Sequence, residues 1–253
     1  MASRGIPGLE RYSRQLGILG LKGQEALARA RVAVVGLGGL GSAVSLYLAA
    51  AGVGEMVLVD PDRVEVHNLN RQVLYEAADI GIPKAFLAAR RLKALNPEVD
   101  VRPVTDGVSG GRVGEIVGDV DVIVDALDNW EARLALDEYA WERGIPLVHA
   151  AVDRWYGQLT VVKRGVTSCL ACIAPRSPRR PSGVLGPAVG ILGLLEAMEA
   201  IKILTGIGEP SYNRLIFVDA LKPSIDVVEL KPVPCEACRE ALRASSSPST
   251  TGS

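Results

Sequence analysis

The sequence predicts an α/β domain built on a doubly wound, mostly parallel sheet with an antiparallel C-terminal extension. Short β-branched runs alternate with Ala-, Leu- and Arg-rich stretches of helical period from Arg31 to Val152. Those runs are almost continuously apolar, as strands covered on both faces are, whereas half-exposed strands alternate apolar with polar. The chain has 253 residues, 48% hydrophobic and 23% charged, an ordinary globular composition far from disordered or collagenous extremes. Its 28 basic and 29 acidic residues leave a net charge of −1, which excludes a global field recruiting nucleic acid or an anionic membrane. Binding specificity must be local.

The predicted strands are VAVV ending at Val35, EMVLVD at Asp60, VDVRPVT at Thr105, VDVIVDA at Ala126 and PLVHAAV at Val152. Helical periodicity falls between most of them, at residues 40–51, 83–95, 112–117 and 131–143. Beyond Val152 come the strand-like QLTVVKR and the irregular APRSPRRPSGVLGP, followed by an apolar helix over about residues 188–204. LIFVDA and SIDVVEL, with no helix between them, read as antiparallel strands. The helix presents Leu192, Leu195, Met198, Ile201 and Leu204, read here as buried core.

Residues 32–54 carry no charge over 23 positions, long enough to span a bilayer, but contain six glycines. Strand, turn and buried helix is the better reading. The start MASRGIPGLERYSRQ lacks the apolar core of a signal peptide, so a cytoplasmic protein is expected.

Gly36, Gly38 and Gly41 form G-x-G-x-x-G directly after a strand and at the head of a helix, with Gly39 as an extra glycine. Such a turn admits a phosphate against free N–H groups at the positive end of a helix dipole. Asp60 ends the next strand, placed to accept from ribose hydroxyls. Alone, this Rossmann-like set points to a dinucleotide. The continuation DPDRVEVHNLNRQVLY is unlike a dehydrogenase: it puts Asp62, Asn68, Asn70, Arg71 and Gln72 in a loop, and Lys84 opens the next helix. DALDN adds Asp125, Asp128 and Asn129 at another strand end. Carboxyl ends of parallel strands share one rim, so these groups converge on the glycine turn. Cations for phosphate charge and a hard oxygen ligand for Mg²⁺ suit ATP better than a nicotinamide. Taken singly, Arg71 and Lys84 also read as solvated charges, and Asp128 as a helix cap.

RYSRQ at 11–15, GLGGLGS, LVDPDRVEVHNLNRQ, GIPKA, DALDN, YGQLTV and the paired Cys-x-x-Cys motifs closely resemble the MoeB/ThiF/HesA family, related to ubiquitin-activating enzymes. The resemblance runs from about residue 10 to 239. It implies ATP-dependent adenylation of the C-terminal glycine of a ubiquitin-fold protein ending in Gly-Gly, with release of pyrophosphate. By the same resemblance Gly39 and its neighbours hold phosphate, Asp60 holds the ribose, Asn68 and Arg71 contact the triphosphate, Lys84 neutralises it, and Asp128, with Asn129 beside it, binds magnesium. Arg14 matches an arginine that reaches across a homodimer into the partner's site. His67 and His149 are not needed as proton shuttles, and His149 reads as a satisfied strand-end residue.

Cys169/Cys172 and Cys235/Cys238 are two Cys-x-x-Cys pairs with 62 residues between them, the pattern of one tetrahedral Cys₄ zinc site; a redox pair is the rival. Zinc would tie the segment before the Arg-rich loop to the knuckle PCEAC. With all four thiols on metal and no cysteine in APRSPRRPSGVLGP, the resemblance implies the MoeB-like mode, in which the acyl-adenylate is released or handed over. The chain stops soon after Cys238, so no rhodanese-like extension is expected. Arg176, Arg179 and Arg180 are candidates for a cover over the partner's tail.

One domain is expected over 1–243, with a nucleotide half near 10–152 and a zinc and partner half near 153–243, then a disordered tail over 244–253. The competing functions are adenylation of a small-molecule or tRNA-borne carboxylate, an NAD-dependent oxidoreductase, and a silent zinc scaffold.

Overall fold

The computed structural model describes residues 8–108, 110–173, 183–231, 235, 236 and 238. Eight strands form one sheet: β1 Arg31–Val35, β2 Glu55–Val59, β3 Asp100–Val104, β4 Val122–Asp125, β5 Leu147–Asp153, β6 Tyr156–Val162, β7 Arg214–Asp219 and β8 Ser224–Glu229. Their spatial order is β3-β2-β1-β4-β5-β6-β7-β8. The first five pair parallel and the last three join antiparallel, as the sequence pattern predicts.

The helices are α1 Ser13–Arg29, α2 Gly39–Ala51, α3 Lys84–Leu95, α4 Val113–Val117, α5 Trp130–Arg143, α6 Leu170–Ile173 and α7 Gly186–Thr205. Strand side chains alternate between two cores. Val32, Val34, Met56, Leu58, Val122 and Val124 pack with α2, α3 and α7, while Ala33, Val35, Val57, Val59 and Ile123 pack with α4 and α5. Both faces are covered, which is why these strands read as continuous apolar runs. Each fully buried Leu, Ile or Val contributes about 2 kcal/mol. Neither β1 nor β4 follows the other in sequence, and the chain leaves β1 for α2 on one face and β4 for α5 on the other. Their carboxyl ends diverge into a crevice.

Helix α1 lies outside the segments that the sequence pattern assigns; at Gly20 the helix breaks, with φ 64° and ψ 176°. Its Gln15 and Gln24 amides donate to the Ala51 carbonyl at 2.8 and 3.0 Å, satisfying the C-terminal end of α2. The reading of α7 needs correction. Met198 is exposed, and the buried face is Ala188, Val189, Leu192, Gly193, Glu196, Ala197, Glu199 and Ala200, with two acids in it. Among the described residues no helix is long and apolar enough to cross a membrane; residues 32–54 divide into β1, a turn and α2. Arg176, Arg179, Arg180 and the 244–253 tail lie outside the described residues.

Candidate active site

After Val35 the chain turns at Gly36, whose φ of 92° lies in the left-handed region. A Cβ there would also stand 2.5 Å from the Ala126 carbonyl oxygen, and one on Gly41 would collide with the Gly36 carbonyl. The turn is therefore pressed between α2 and the loop after β4. Helix α2 starts from Gly38 with no side-chain cap and no acid in its first turn. Its leading N–H groups and positive dipole end are left open to an anion.

Asp60 closes the side of the turn. Its Oδ2 accepts from the Leu37 N–H at 2.7 Å and its Oδ1 from the Asp62 N–H at 2.8 Å. Burial pushes this carboxyl up from its ordinary value, opposed by Lys84 and the two N–H groups. Each oxygen retains a lone pair for a ribose hydroxyl. Behind it, the buried Tyr75 hydroxyl donates to the Leu37 carbonyl at 3.0 Å.

Asn68 is buried and shapes the binding loop: its Oδ1 accepts from the Glu65 N–H at 3.0 Å across the helical turn Val66–Asn68. Gln72, 3% exposed, lies beside Gly38, and its Oε1 has no hydrogen-bond partner among the described residues. An orphaned buried acceptor costs about 1–3 kcal/mol; the Gln72 atom beside Gly38 is Nε2, and turning the amide over would bring the acceptor to the turn. That orphan, with the open helix end and Asp60, fits a nucleotide.

Arg71 Nη1 donates to the His67 carbonyl at 2.8 Å and to Asn70 Oδ1 at 3.2 Å. The His67 ring pairs with exposed Glu65 at 3.2 Å, so the backbone of His67, not its ring, supports the loop. Lys84, 4% exposed at the head of α3, donates to Asp62 Oδ2 at 3.1 Å. Asp62 is exposed and can exchange this ammonium for a phosphate. The Lys84 reading as a solvated surface charge does not hold, because its side chain is buried.

Across the crevice, Asn129 caps α5, its Oδ1 accepting from the Ala132 N–H at 2.9 Å. Asp128 is exposed and makes no hydrogen bond or ion pair among the described residues. The cap reading thus belongs to Asn129, which leaves the Asp128 carboxylate for a ligand. Gly36 against Ala126 brings this loop to the glycine turn.

Arg14 is exposed at the start of α1. Its neighbours fix its place: Tyr12 lies against Gly52, and Gln15 binds Ala51. Both contacts are at the C-terminal end of α2, about 20 Å along that helix from the glycine turn at 1.5 Å per residue. Within one chain Arg14 does not reach the crevice.

The sequence reading overlooked a buried polar cluster beneath the rim. Asp125 faces His149 in the β4–β5 register, and Asp125 Oδ2 lies 2.6 Å from His149 Nδ1 and 3.6 Å from Arg133 Nη1. His149 sits within β5, not at its end. The Arg133 guanidinium and the His149 hydrogen bond hold the Asp125 carboxyl low against its burial, while burial and Arg133 lower His149. Glu196 comes in from α7, wholly buried, and desolvation holds its carboxyl well above the usual range. The signal was available: Glu196 is an acid inside an apolar helix, and Arg133 lies one turn after Asn129.

The four cysteines come together. Their Sγ atoms all lie within 4.8 Å of one another, with Cys169–Cys172 at 3.6 Å and Cys235–Cys238 at 3.4 Å. A tetrahedral zinc with bonds of about 2.3 Å requires sulfurs about 3.8 Å apart. Each pair's backbone also donates to a sulfur of the other, Cys169 N–H to Cys238 at 3.2 Å and Cys235 N–H to Cys172 at 3.3 Å. The donor set fits zinc, and all four corners are protein ligands.

A ThiF family model matches residues 12–239. The chain belongs to the ThiF family. It is 42% identical to the SAMP-activating enzyme E1 of Haloferax volcanii, covering 92% of this chain and 89% of that one. Identity to the sulfur carrier protein adenylyltransferase of Thermus thermophilus is 40%, over 91% and 90% of the two chains. The molybdopterin-synthase adenylyltransferase of Escherichia coli is 37% identical, over 90% and 95%. Among solved structures, E. coli MccB with ATP superposes with a TM-score of 0.82 at 25% identity, covering 94% of this chain and 77% of that one. In this ThiF-family member the glycine turn, the 60–72 loop and the DALDN loop meet at one crevice.

Proposed function

We propose that this ThiF-family protein is an ATP-dependent adenylyltransferase acting on the C-terminal glycine carboxylate of a ubiquitin-fold protein, a sulfur carrier or modifier. The observation that carries the reading is the meeting of an open helix N-terminus, Asp60, Arg71, Lys84 and Asp128, which has no partner among the described residues, at one crevice. A nicotinamide has no use for the two cations and the free carboxylate. The names of the relatives that match most of the chain support the choice of substrate.

The carboxylate oxygen attacks the α-phosphorus, the bond from that phosphorus to the bridging oxygen of the β-phosphate breaks, and pyrophosphate leaves. A carboxylate is already anionic at neutral pH, so no general base is required. The residues need only align the reactants and neutralise growing charge. Asp60 holds the ribose, with Gln72 offering a further acceptor. Gly36, Gly38, Gly39 and Gly41 admit the phosphates to the backbone, Asn68 keeps the loop in shape, and Arg71 and Lys84 take up the triphosphate charge. Asp62 releases Lys84. Asp128, with Asn129 beside it, would hold magnesium, which when bound supplies a Lewis acid for the departing pyrophosphate.

The remoteness of Arg14 from its own crevice supports action in trans within a homodimer, as does the exposure of apolar Ile18, Leu21 and Tyr47 at 77%, 58% and 57% on α1 and α2. Cys169, Cys172, Cys235 and Cys238 would hold zinc as a structural clip.

The test is ATP–pyrophosphate exchange with ubiquitin-fold proteins ending in Gly-Gly. Exchange is expected only with an intact terminal glycine in one partner; tight NAD⁺ binding without exchange would overturn the reading. Mixing Arg14→Ala with Asp128→Ala, each inactive alone, should restore up to about a quarter of the sites by statistical pairing of subunits. No rescue, with subunit exchange shown by mass spectrometry, would place the arginine's role within one chain.

A further inference from the structure

The cluster beneath the DALDN loop is expensive. Burying ions costs several kcal/mol each, and apolar side chains would fill the same space at no such cost. What the cluster accomplishes is visible at one peptide. Asp125 Oδ1 accepts from the Leu127 N–H at 3.1 Å, and Arg133 Nη2 donates to the Leu127 carbonyl. That carbonyl belongs to the planar peptide unit that carries the Asp128 nitrogen. Both sides of Leu127 are thus held, one residue before Asp128.

Arg133 is itself immobilised. Its Nη1 donates to the Ala150 carbonyl at 3.0 Å and approaches His149 Nε2 at 3.2 Å, and its guanidinium lies 5.8 Å from the centre of the Trp130 ring. His149 Nδ1 lies 2.6 Å from Asp125 Oδ2 and 2.9 Å from Arg133 Nη1, so the ring sits between the two charged groups. Glu196 closes the cluster from α7, and neither of its carboxyl oxygens has a hydrogen-bond partner among the described residues. The same helix begins with Gly186 against the Asn70 carbonyl, and its Val189 lies against Gly39. One rigid element therefore borders both the cluster and the phosphate turn.

We propose that Arg133, braced by Asp125 and His149, is a positioning residue that clamps the Leu127 peptide and so presents Asp128 to the divalent cation. The proposal rests on the reading of Asp128 as the magnesium ligand. Arg133 touches no substrate. A planar fork reaches two carbonyls and a ring nitrogen together, which a lysine ammonium on a flexible stem does not.

The decisive variant is Arg133→Lys in the full chain, with Asp125→Asn as a second because Asn still accepts from Leu127 but no longer attracts Arg133. Binding of Mn²⁺ to the ATP-loaded protein is followed by electron paramagnetic resonance, and the half-saturating Mg²⁺ concentration is measured in pyrophosphate exchange. Loss of a residue that orients a metal ligand typically weakens metal affinity about 10- to 100-fold. A rise of at least about 10-fold in both constants for Arg133→Lys is expected, with the ATP KM at saturating Mg²⁺ within about 2-fold because the ribose and phosphate contacts remain. Asp125→Asn should give a smaller rise. Unchanged cation constants together with a lowered melting temperature would overturn the clamp and make Arg133 a structural strut. Absence of exchange and of cation-dependent ATP binding in the wild type would instead overturn the reading on which the clamp rests. A wild type that exchanges while Asp128→Ala keeps its cation affinity would also overturn the clamp, by removing its target.

Discussion

Asp128→Ala is expected to abolish magnesium-dependent pyrophosphate exchange, a fall of at least about 100-fold, and to leave the melting temperature within about 2 °C of wild type. The two halves of this expectation come from one division of labour. Asp128 is exposed and makes no bond among the described residues, so its removal costs the fold little; exposed substitutions away from special features stay within about 0.5 kcal/mol. Asn129 keeps the cap of α5 through Ala132. The measurement is exchange at saturating partner with a Mg²⁺ titration, beside a thermal melt of the same preparation. Exchange above about a tenth of wild type would remove Asp128 from the site. A melting temperature lowered by more than about 5 °C would show that the loop depends on Asp128 for its fold.

Cys172→Ser is expected to lower stability. The variant is expected to lose stoichiometric zinc and to melt about 5–10 °C lower. A structural zinc contributes on the order of 10 kcal/mol of binding energy to the fold that holds it, and three remaining thiols retain only part of it. Cys172 also accepts the Cys235 N–H, so the change breaks a contact between the knuckles as well as a ligand. Zinc is bound by thiolates, so protons compete with the metal for the four sulfurs. Zinc should be shed as pH falls. Metal analysis and melting of both proteins, before and after a chelator, check this. Unchanged zinc content and melting temperature in the variant would mean the cysteines serve another purpose.

The strands were legible because their signal is local. A strand covered on both faces must be apolar along its buried length, and β1 beyond Arg31, β2 beyond Glu55 and β4 up to Asp125 are. The glycine turn was legible for the same reason: Gly36 and Gly41 are needed where backbone meets backbone, and no side chain substitutes for the missing Cβ. Helix α1 was not legible, because it breaks at Gly20 and its long-range polar contacts, Gln15 and Gln24 on the Ala51 carbonyl, exist only once α2 is in place. Met198 of α7 is exposed, not core, while Glu196 and Glu199 are buried, since a helix touching several neighbours shows no single apolar stripe.

The site divides along the same line. Residue types and order alone determined that a glycine turn, the acids Asp60 and Asp128 and the cations Arg71 and Lys84 occur in one chain, and that four thiols occur as two Cys-x-x-Cys pairs, because each is a matter of local chemistry and spacing. Only the tertiary structure decided that Asn129 caps and Asp128 has no partner among the described residues, that Arg14 stands at the far end of α2, and that Asp125, Arg133, His149 and Glu196 come together. Those four come from β4, α5, β5 and α7. What joins them is the sheet order, with β5 beside β4, and the packing of α5 and α7 on opposite faces of those strands; separations of that kind are set by the packing of whole elements, which no stretch of neighbouring residues encodes.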